Sequence, residues 1–72
     1  MKKIIHITGM SCKHCQMRVT NLLQNLPQVK TATVSLELNT ATIELNSFLS
    51  DQTIIEQIEA IGYDVTNIIN EE

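Results

Sequence analysis

Apolar and polar residues alternate in four short stretches of the chain, and this period of two predicts four β-strands. In the first, Ile5 and Ile7 alternate with His6 and Thr8 and stop at Gly9, which places His6 on the solvated face. The other three strands are predicted around Val34, Leu36 and Leu38, around Ala41, Ile43 and Leu45, and over residues 65–69. A short turn at residues 39–40 joins the second strand to the third as a hairpin.

Between the strands, apolar residues recur every three or four positions, as on the buried face of a helix. The two stripes are Val19, Leu22, Leu23 and Leu26, closed by Pro27, and Ile54, Ile55, Ile58 and Ile61, with Ser50 or Asp51 as N-cap and Gly62 at the end. The order β-α-β-β-α-β predicts an α+β, ferredoxin-like fold, with a four-stranded antiparallel sheet and two helices on one face. We expect residues 1–72 to form a single domain.

Composition narrows the functional classes. The chain has 72 residues, of which 43% are apolar, and its only aromatic residues are Phe48 and Tyr63. So few aromatics argue against a nucleic-acid partner, because the chain has no aromatic platform on which bases could stack. No apolar run approaches the roughly 20 residues of a membrane span, and the N-terminus lacks the apolar region of a signal peptide. We therefore expect a cytoplasmic protein, in which thiols stay reduced.

Charge divides sharply along the chain, although the net charge is only −3. Residues 1–36 contain all five Lys and Arg and no acid, whereas residues 37–72 contain all eight Asp and Glu and no base. The formal charges of the halves are therefore +5 and −8. Two explanations stay open: the halves attract each other within the fold, or the basic half selects a partner.

The only two cysteines lie in the sequence Cys12-Lys13-His14-Cys15, after the predicted end of the first strand and at the predicted start of the first helix. With Ser11 as the predicted N-cap, Cys12 is the first helical residue and Cys15 lies one turn further on. The thiolate is the metal-binding form, and its pKa falls at a helix N-terminus and beside cationic groups such as Lys13. We expect Cys12 to be the exposed, more acidic and first-reacting thiol, and Cys15 to be the shielded one.

Two thiolates without further cysteines narrow the choice of metal. Soft sulfur ligands select Cu(I), zinc or iron–sulfur clusters, but structural zinc requires four ligands and a cluster usually requires four cysteines. Two sulfurs suffice for a monovalent d¹⁰ ion such as Cu(I). The sequence places His14 around the helix from the sulfur pair, and Met10 continues the apolar side of the strand, so neither is expected to be a ligand. Lys13 is expected to offset the negative charge of the loaded site.

The run Gly9-Met10-Ser11-Cys12-Lys13-His14-Cys15 resembles the G-M-x-C-x-x-C loop of heavy-metal-associated domains. The run Ile61-Gly62-Tyr63-Asp64-Val65 matches the same family in sequence and spacing, and the resemblance covers the whole chain. Within the family, the sequence is most similar to small bacterial copper chaperones of the CopZ type, which carry a tyrosine where eukaryotic relatives have a lysine. This resemblance implies a ferredoxin-like metal carrier that is not an enzyme.

The resemblance also implies roles for individual residues. Cys12 and Cys15 bind Cu(I), Met10 supports the loop from below, and Tyr63 packs near the metal. The implied partner is a matching domain of a copper-transporting P-type ATPase or a copper-responsive regulator. A monomer is expected without metal, and a metal-bridged dimer stays an open alternative.

Three other interpretations are weighed against the chaperone. The first is a metal-binding domain of the ATPase itself, and the second is a mercury-binding protein of the same family. The third is a dithiol oxidoreductase, since C-x-x-C also forms redox centres. The mercury-binding proteins of the periplasm need a signal peptide. Against the oxidoreductase, no proline lies between the cysteines and no aromatic residue precedes Cys12.

Overall fold

The computed structural model describes residues 1–71, so Glu72, the last residue of the predicted domain, lies outside the described residues. The elements in chain order are β1 (Lys2–Thr8), α1 (Lys13–Gln24), β2 (Val29–Ser35), β3 (Thr40–Leu45), α2 (Asp51–Ala60) and β4 (Asp64–Glu71). The strands form one antiparallel sheet in the order β2-β3-β1-β4. The predicted α+β ferredoxin-like fold is therefore confirmed. Neither described helix has the length and hydropathy needed to cross a membrane.

Aliphatic side chains from both helices and all four strands form the core between the sheet and the helices. Among the fully buried residues are Ile5, Ile7 and Ile43 from the sheet, Val19 and Leu23 from α1, and Ile54 and Ile58 from α2. Burial of one such side chain contributes roughly 1.5–3 kcal/mol. The strand periodicity thus identified the core face of β1 correctly, and His6 lies half-buried on the opposite face.

Both edge strands carry a β-bulge, and the spacing of their apolar residues explains why. Val29 and Ala32 of β2 both pack against the core, as do Val65 and Ile68 of β4, although each pair is three positions apart. In a regular strand, residues three apart point to opposite faces. An extra residue restores the alignment, and the register shifts directly after Val29 in β2 and around Thr66 in β4.

The hairpin between β2 and β3 differs from its prediction. Leu36 and Leu38 continue the alternation of β2, but the strand ends at Ser35, which pairs with Thr40. The connection therefore has four residues instead of the predicted two-residue turn, and the placement of both leucines in a strand is wrong. Asn39 adopts the left-handed conformation, with φ at 55°. Asparagine tolerates this conformation better than most residues, which allows the chain to reverse here.

The limits of α2 follow from local chemistry. Ser50 is its N-cap, and the Ser50 hydroxyl accepts a hydrogen bond from the Thr53 backbone N–H at 3.2 Å. The helix ends at Ala60, and Gly62 then takes a φ of 94°, which glycine adopts without steric cost. The α1 helix ends at Gln24, shortly before Pro27. These boundaries agree with the sequence signals.

A buried lysine, absent from the sequence predictions, joins three elements at one end of the sheet. Lys3 is only 7% exposed, and its Nζ lies 2.5 Å from both Asp51 Oδ1 and Asn70 Oδ1. The Asn70 side-chain amide also donates to Asp51 Oδ2 at 3.3 Å. The hydrogen bond from Lys3 is the main cause of the lowered pKa of Asp51. We call this cluster of Lys3, Asp51 and Asn70 the far end, because it lies at the opposite end of β1 from Gly9.

Candidate metal centre

Two loops meet at the other end of the sheet, which we call the loop end: residues 9–15 between β1 and α1, and residues 61–63 between α2 and β4. Gly9 has a φ of 96°, a conformation that favours glycine. A Cβ atom at Gly9 would lie 3.3 Å from Cδ1 of Tyr63, so glycine also permits the two loops to approach closely. Met10 is 6% exposed and belongs to the hydrophobic core. The supporting role expected for Met10 stays a prediction, and the structure places its side chain in the core below the loop.

The helix that carries the cysteines begins one residue later than predicted. Cys12, and not Ser11, is the N-cap of α1, with the extended φ and ψ of −154° and 170°. The Cys12 carbonyl accepts the hydrogen bond of the Gln16 N–H at 3.1 Å, but its side chain makes no capping bond. Both cysteines are free, and their sulfurs lie 3.6 Å apart. Cys12 is exposed and Cys15 partly exposed, in the predicted order.

The acidic thiol is Cys15, whereas the sequence placed the lowered pKa at Cys12. The pKa of Cys15 is lowered to about 6, chiefly by hydrogen bonding from the Ser11 backbone and then by the side chains of Tyr63 and Cys12. Partial burial opposes these effects without cancelling them. Because Cys15 lies inside the first turn, the preceding loop folds over its sulfur and directs donors at it. Cys15 is therefore mostly a thiolate at pH 7.

Tyr63 is the residue of the second loop that faces the sulfur pair. It is 7% exposed, and its pKa is raised, mainly through its hydrogen bond with Cys15. The hydroxyl group of a neutral tyrosine donates a hydrogen bond to a thiolate. The tyrosine therefore stabilises the deprotonated cysteine, and the thiolate stabilises the protonated tyrosine. The Arg18 guanidinium lies over the ring, with Cζ 5.8 Å from the ring centroid. The structure places Tyr63 beside Cys15, while its expected role near a metal stays a prediction. Sequence reasoning assigned no contact to Arg18.

The remaining predicted site residues lie at the surface. Lys13 and His14 form the first turn of α1 and are both exposed. Within residues 1–71, no group of three or more His, Cys, Asp or Glu side chains is placed to hold a metal ion. The described part of the chain therefore offers two sulfurs and no third ligand of these types. Such a pair can hold a soft cation that accepts two ligands. Two ligands also leave the ion open to an incoming group.

Known proteins share both this sequence and this fold. The model of the heavy-metal-associated domain family matches residues 4–64. The copper chaperone CopZ of Staphylococcus epidermidis is 42% identical over 65 residues, which cover 89% of this chain and 96% of that protein. Copper-transporting ATPase 1 of Mus musculus is 39% identical over 62 residues, which are 85% of this chain but 4% of the ATPase. A solved CopZ metallochaperone superposes with a TM-score of 0.85 at 33% identity, covering 92% of this chain and 100% of the other.

Proposed function

The chain belongs to the heavy-metal-associated domain family, and from this premise we propose that it is a cytoplasmic copper chaperone. It binds one Cu(I) ion through Cys12 and Cys15 and passes the ion to a copper-transporting P-type ATPase or a copper-responsive regulator, without catalysing a reaction. The observation that carries the proposal is the pair of free thiols 3.6 Å apart at an exposed loop. The near full-length similarity to a copper chaperone supports it.

The sulfur pair has to open slightly before it can hold a monovalent ion between two ligands in a line. With metal–sulfur bonds of about 2.3 Å, as zinc makes to thiolates, sulfurs 3.6 Å apart give an S–metal–S angle of about 100°. A linear arrangement needs about 4.6 Å, so the sulfurs must separate by about 1 Å. Cys12 supplies this movement, because it precedes the first helical residue and its side chain is exposed. Cys15 is fixed within α1 and serves as the anchored ligand.

Charge supports a role for the basic half in choosing the partner. Part of the basic charge is paired with the acidic half within the fold, because Lys2 pairs with Glu71 and Lys3 with Asp51. The other three bases, Lys13, Arg18 and Lys30, form no ion pair with any residue in the described range. Lys13 stands at the cysteine loop, so a receiving domain with acidic residues around its own cysteines would approach faster. Two thiolates and Cu(I) also carry a net charge of −1, which Lys13 offsets.

An anaerobic metal titration tests the proposal directly. We expect Cu(I) and Ag(I) to bind with one ion per chain and much more tightly than Zn(II). Zinc binding tighter than Cu(I) would contradict the assignment, as would the absence of stoichiometric Cu(I) binding. Loaded protein is then mixed with an isolated metal-binding domain of a P-type ATPase. Transfer is expected to slow as salt rises from low to physiological strength, because charges at the rim of an interface are screened.

A further inference from the structure

One side chain connects the helix that carries the cysteines to the loop that carries Tyr63. Arg18 of α1 places its guanidinium over the Tyr63 ring, with 5.8 Å between Cζ and the ring centroid. The same guanidinium donates from Nη2 to the carbonyl oxygen of Ile61 at 3.5 Å. Arg18 therefore contacts the second loop at two points, two residues apart.

The Ile61 carbonyl is a favourable place for a cation. Ile61 is the C-cap of α2, and the last turn of this helix contains no basic residue. The carbonyl end of a helix carries partial negative charge, which a nearby cation stabilises. Arg18 supplies that cation from the neighbouring helix. Its planar guanidinium can also stack on an aromatic face while it donates hydrogen bonds.

These contacts confine the Tyr63 ring. Gly9 closes one side of it, where even a Cβ atom would lie 3.3 Å from Cδ1. Arg18 covers the ring face, and the Tyr63 side chain interacts with Cys15. The ring is thus enclosed by the cysteine loop and by Arg18, although Arg18 itself is exposed.

We propose that Arg18 is a positioning residue of the metal centre, which holds Tyr63 against Gly9 and beside Cys15. It also brings a positive charge to a site that becomes negative when two thiolates hold a monovalent cation. The proposal rests on the proposed copper function, because it concerns the affinity and order of that site. Arg18 contacts neither sulfur and acts through Tyr63.

The chain provides its own probe for a test. Tyr63 is the only tyrosine and tryptophan is absent, so tyrosine fluorescence reports this ring alone. We compare Arg18→Gln and Arg18→Lys with the control Lys30→Gln, which removes the same charge from the start of β2. In the metal-free protein, Arg18→Gln is expected to increase acrylamide quenching of Tyr63 about two-fold, because the ring loses its cationic cover. The Lys30→Gln control should quench like the wild type.

Cu(I) affinity, measured by competition with a chromogenic chelator, gives the second readout. Arg18→Gln is expected to bind Cu(I) about two- to five-fold more weakly than Lys30→Gln. Arg18→Lys should recover most of this loss, since an ammonium group can still donate to Ile61 and lie over the ring. Circular dichroism verifies that each variant is folded.

Two results would overturn the proposal. One is an Arg18→Gln variant that matches Lys30→Gln in both quenching and affinity. The other is a loss of affinity without a change at Tyr63, since Arg18 would then act through its charge alone and would not be a positioning residue. Failure of the wild type to bind Cu(I) would instead refute the proposed function, and the quenching of the metal-free protein would still test the contact with Tyr63.

Discussion

At the far end of β1, the ammonium group of Lys3 is enclosed by two side-chain oxygens, whereas at the loop end two thiols lie 3.6 Å apart, one exposed and one partly exposed. Across the described residues, no buried side-chain nitrogen or oxygen lacks a hydrogen bond. Polar groups that are satisfied internally can stabilise the fold but have no capacity left for a ligand. The two sulfurs, by contrast, remain accessible to a ligand from solvent. The molecule thus separates its internally paired polar cluster from its proposed metal-binding pair along one strand.

Replacement of both thiols should have the largest effect, and it should change Cu(I) binding at the loop end without changing the stability of the fold. Cys12→Ser combined with Cys15→Ser is expected to weaken Cu(I) binding at least ~1,000-fold, or about 4 kcal/mol, because a hydroxyl is a poor ligand for a soft ion. The unfolding midpoint in urea should stay close to that of the metal-free wild type. Chelator competition and urea titration measure the two effects. Tight one-to-one binding by the double variant would disprove the ligand assignment.

Replacement of Lys3 should have the opposite effect, with lost stability and retained copper binding. Lys3→Ala removes the partner of Asp51, and we expect the free energy of unfolding to fall by about 2 kcal/mol. This loss of stability is smaller than the loss expected for a fully buried ion pair, because the Asp51 side chain is 42% exposed. The matched control is Lys2→Ala, whose ion pair with Glu71 is 3.7 Å long and half-exposed, with an expected change below about 0.5 kcal/mol. Equal losses for the two variants in urea would refute a special role for the far end.

The smallest expected effect is a difference in pH dependence between the two ends, because Cys15 and Asp51 lose their protons in different pH ranges. Cys15 should alkylate with a midpoint near pH 6, since its pKa is lowered to about 6. Because the folded pKa lies below the unfolded one, this thiol contributes stability that is present above the unfolded pKa and is lost as the pH falls through about 6. Asp51 has a lowered pKa too, so its contribution is lost at more acidic pH.

The variant Tyr63→Phe isolates one cause of the acidity of Cys15. Without the phenol hydroxyl, the alkylation midpoint should move up towards the ordinary cysteine value. Iodoacetamide rates followed by mass spectrometry assign the reaction to each cysteine. An unchanged Cys15 profile would mean that Tyr63 does not stabilise the thiolate.

The parts of the structure that follow from local signals were predictable. The periodicity of Ile5 and Ile7, the cap at Ser50 and the glycine at Gly62 each act within a few residues, so the sequence shows them directly. The paired cysteines also lie within one short motif. Their position at the start of α1 was correct to within one residue.

Other features depend on contacts between distant positions. Lys3 meets partners 48 and 67 residues away, and Arg18 meets a carbonyl 43 residues away. The alternation of β1 places Lys3 on the same face as Ile5 and Ile7, but it does not show which distant side chains would bind a buried ammonium group. The acidity of Cys15 depends on how the loop folds over its sulfur, which spacing alone does not determine. Leu36 and Leu38 misled the prediction of β2, because alternation continues past the residue at which pairing stops.

The bulges of β2 and β4 have a consequence for the proposed encounter with a domain of the same family. Both strands lie at the edges of the sheet, where unpaired backbone groups invite another sheet to continue the ladder. A bulge bends the strand and interrupts the regular spacing of those groups. Edge-to-edge growth into aggregates is therefore disfavoured on both sides. Encounters through the cysteine loop, at the end of the sheet, do not require either edge.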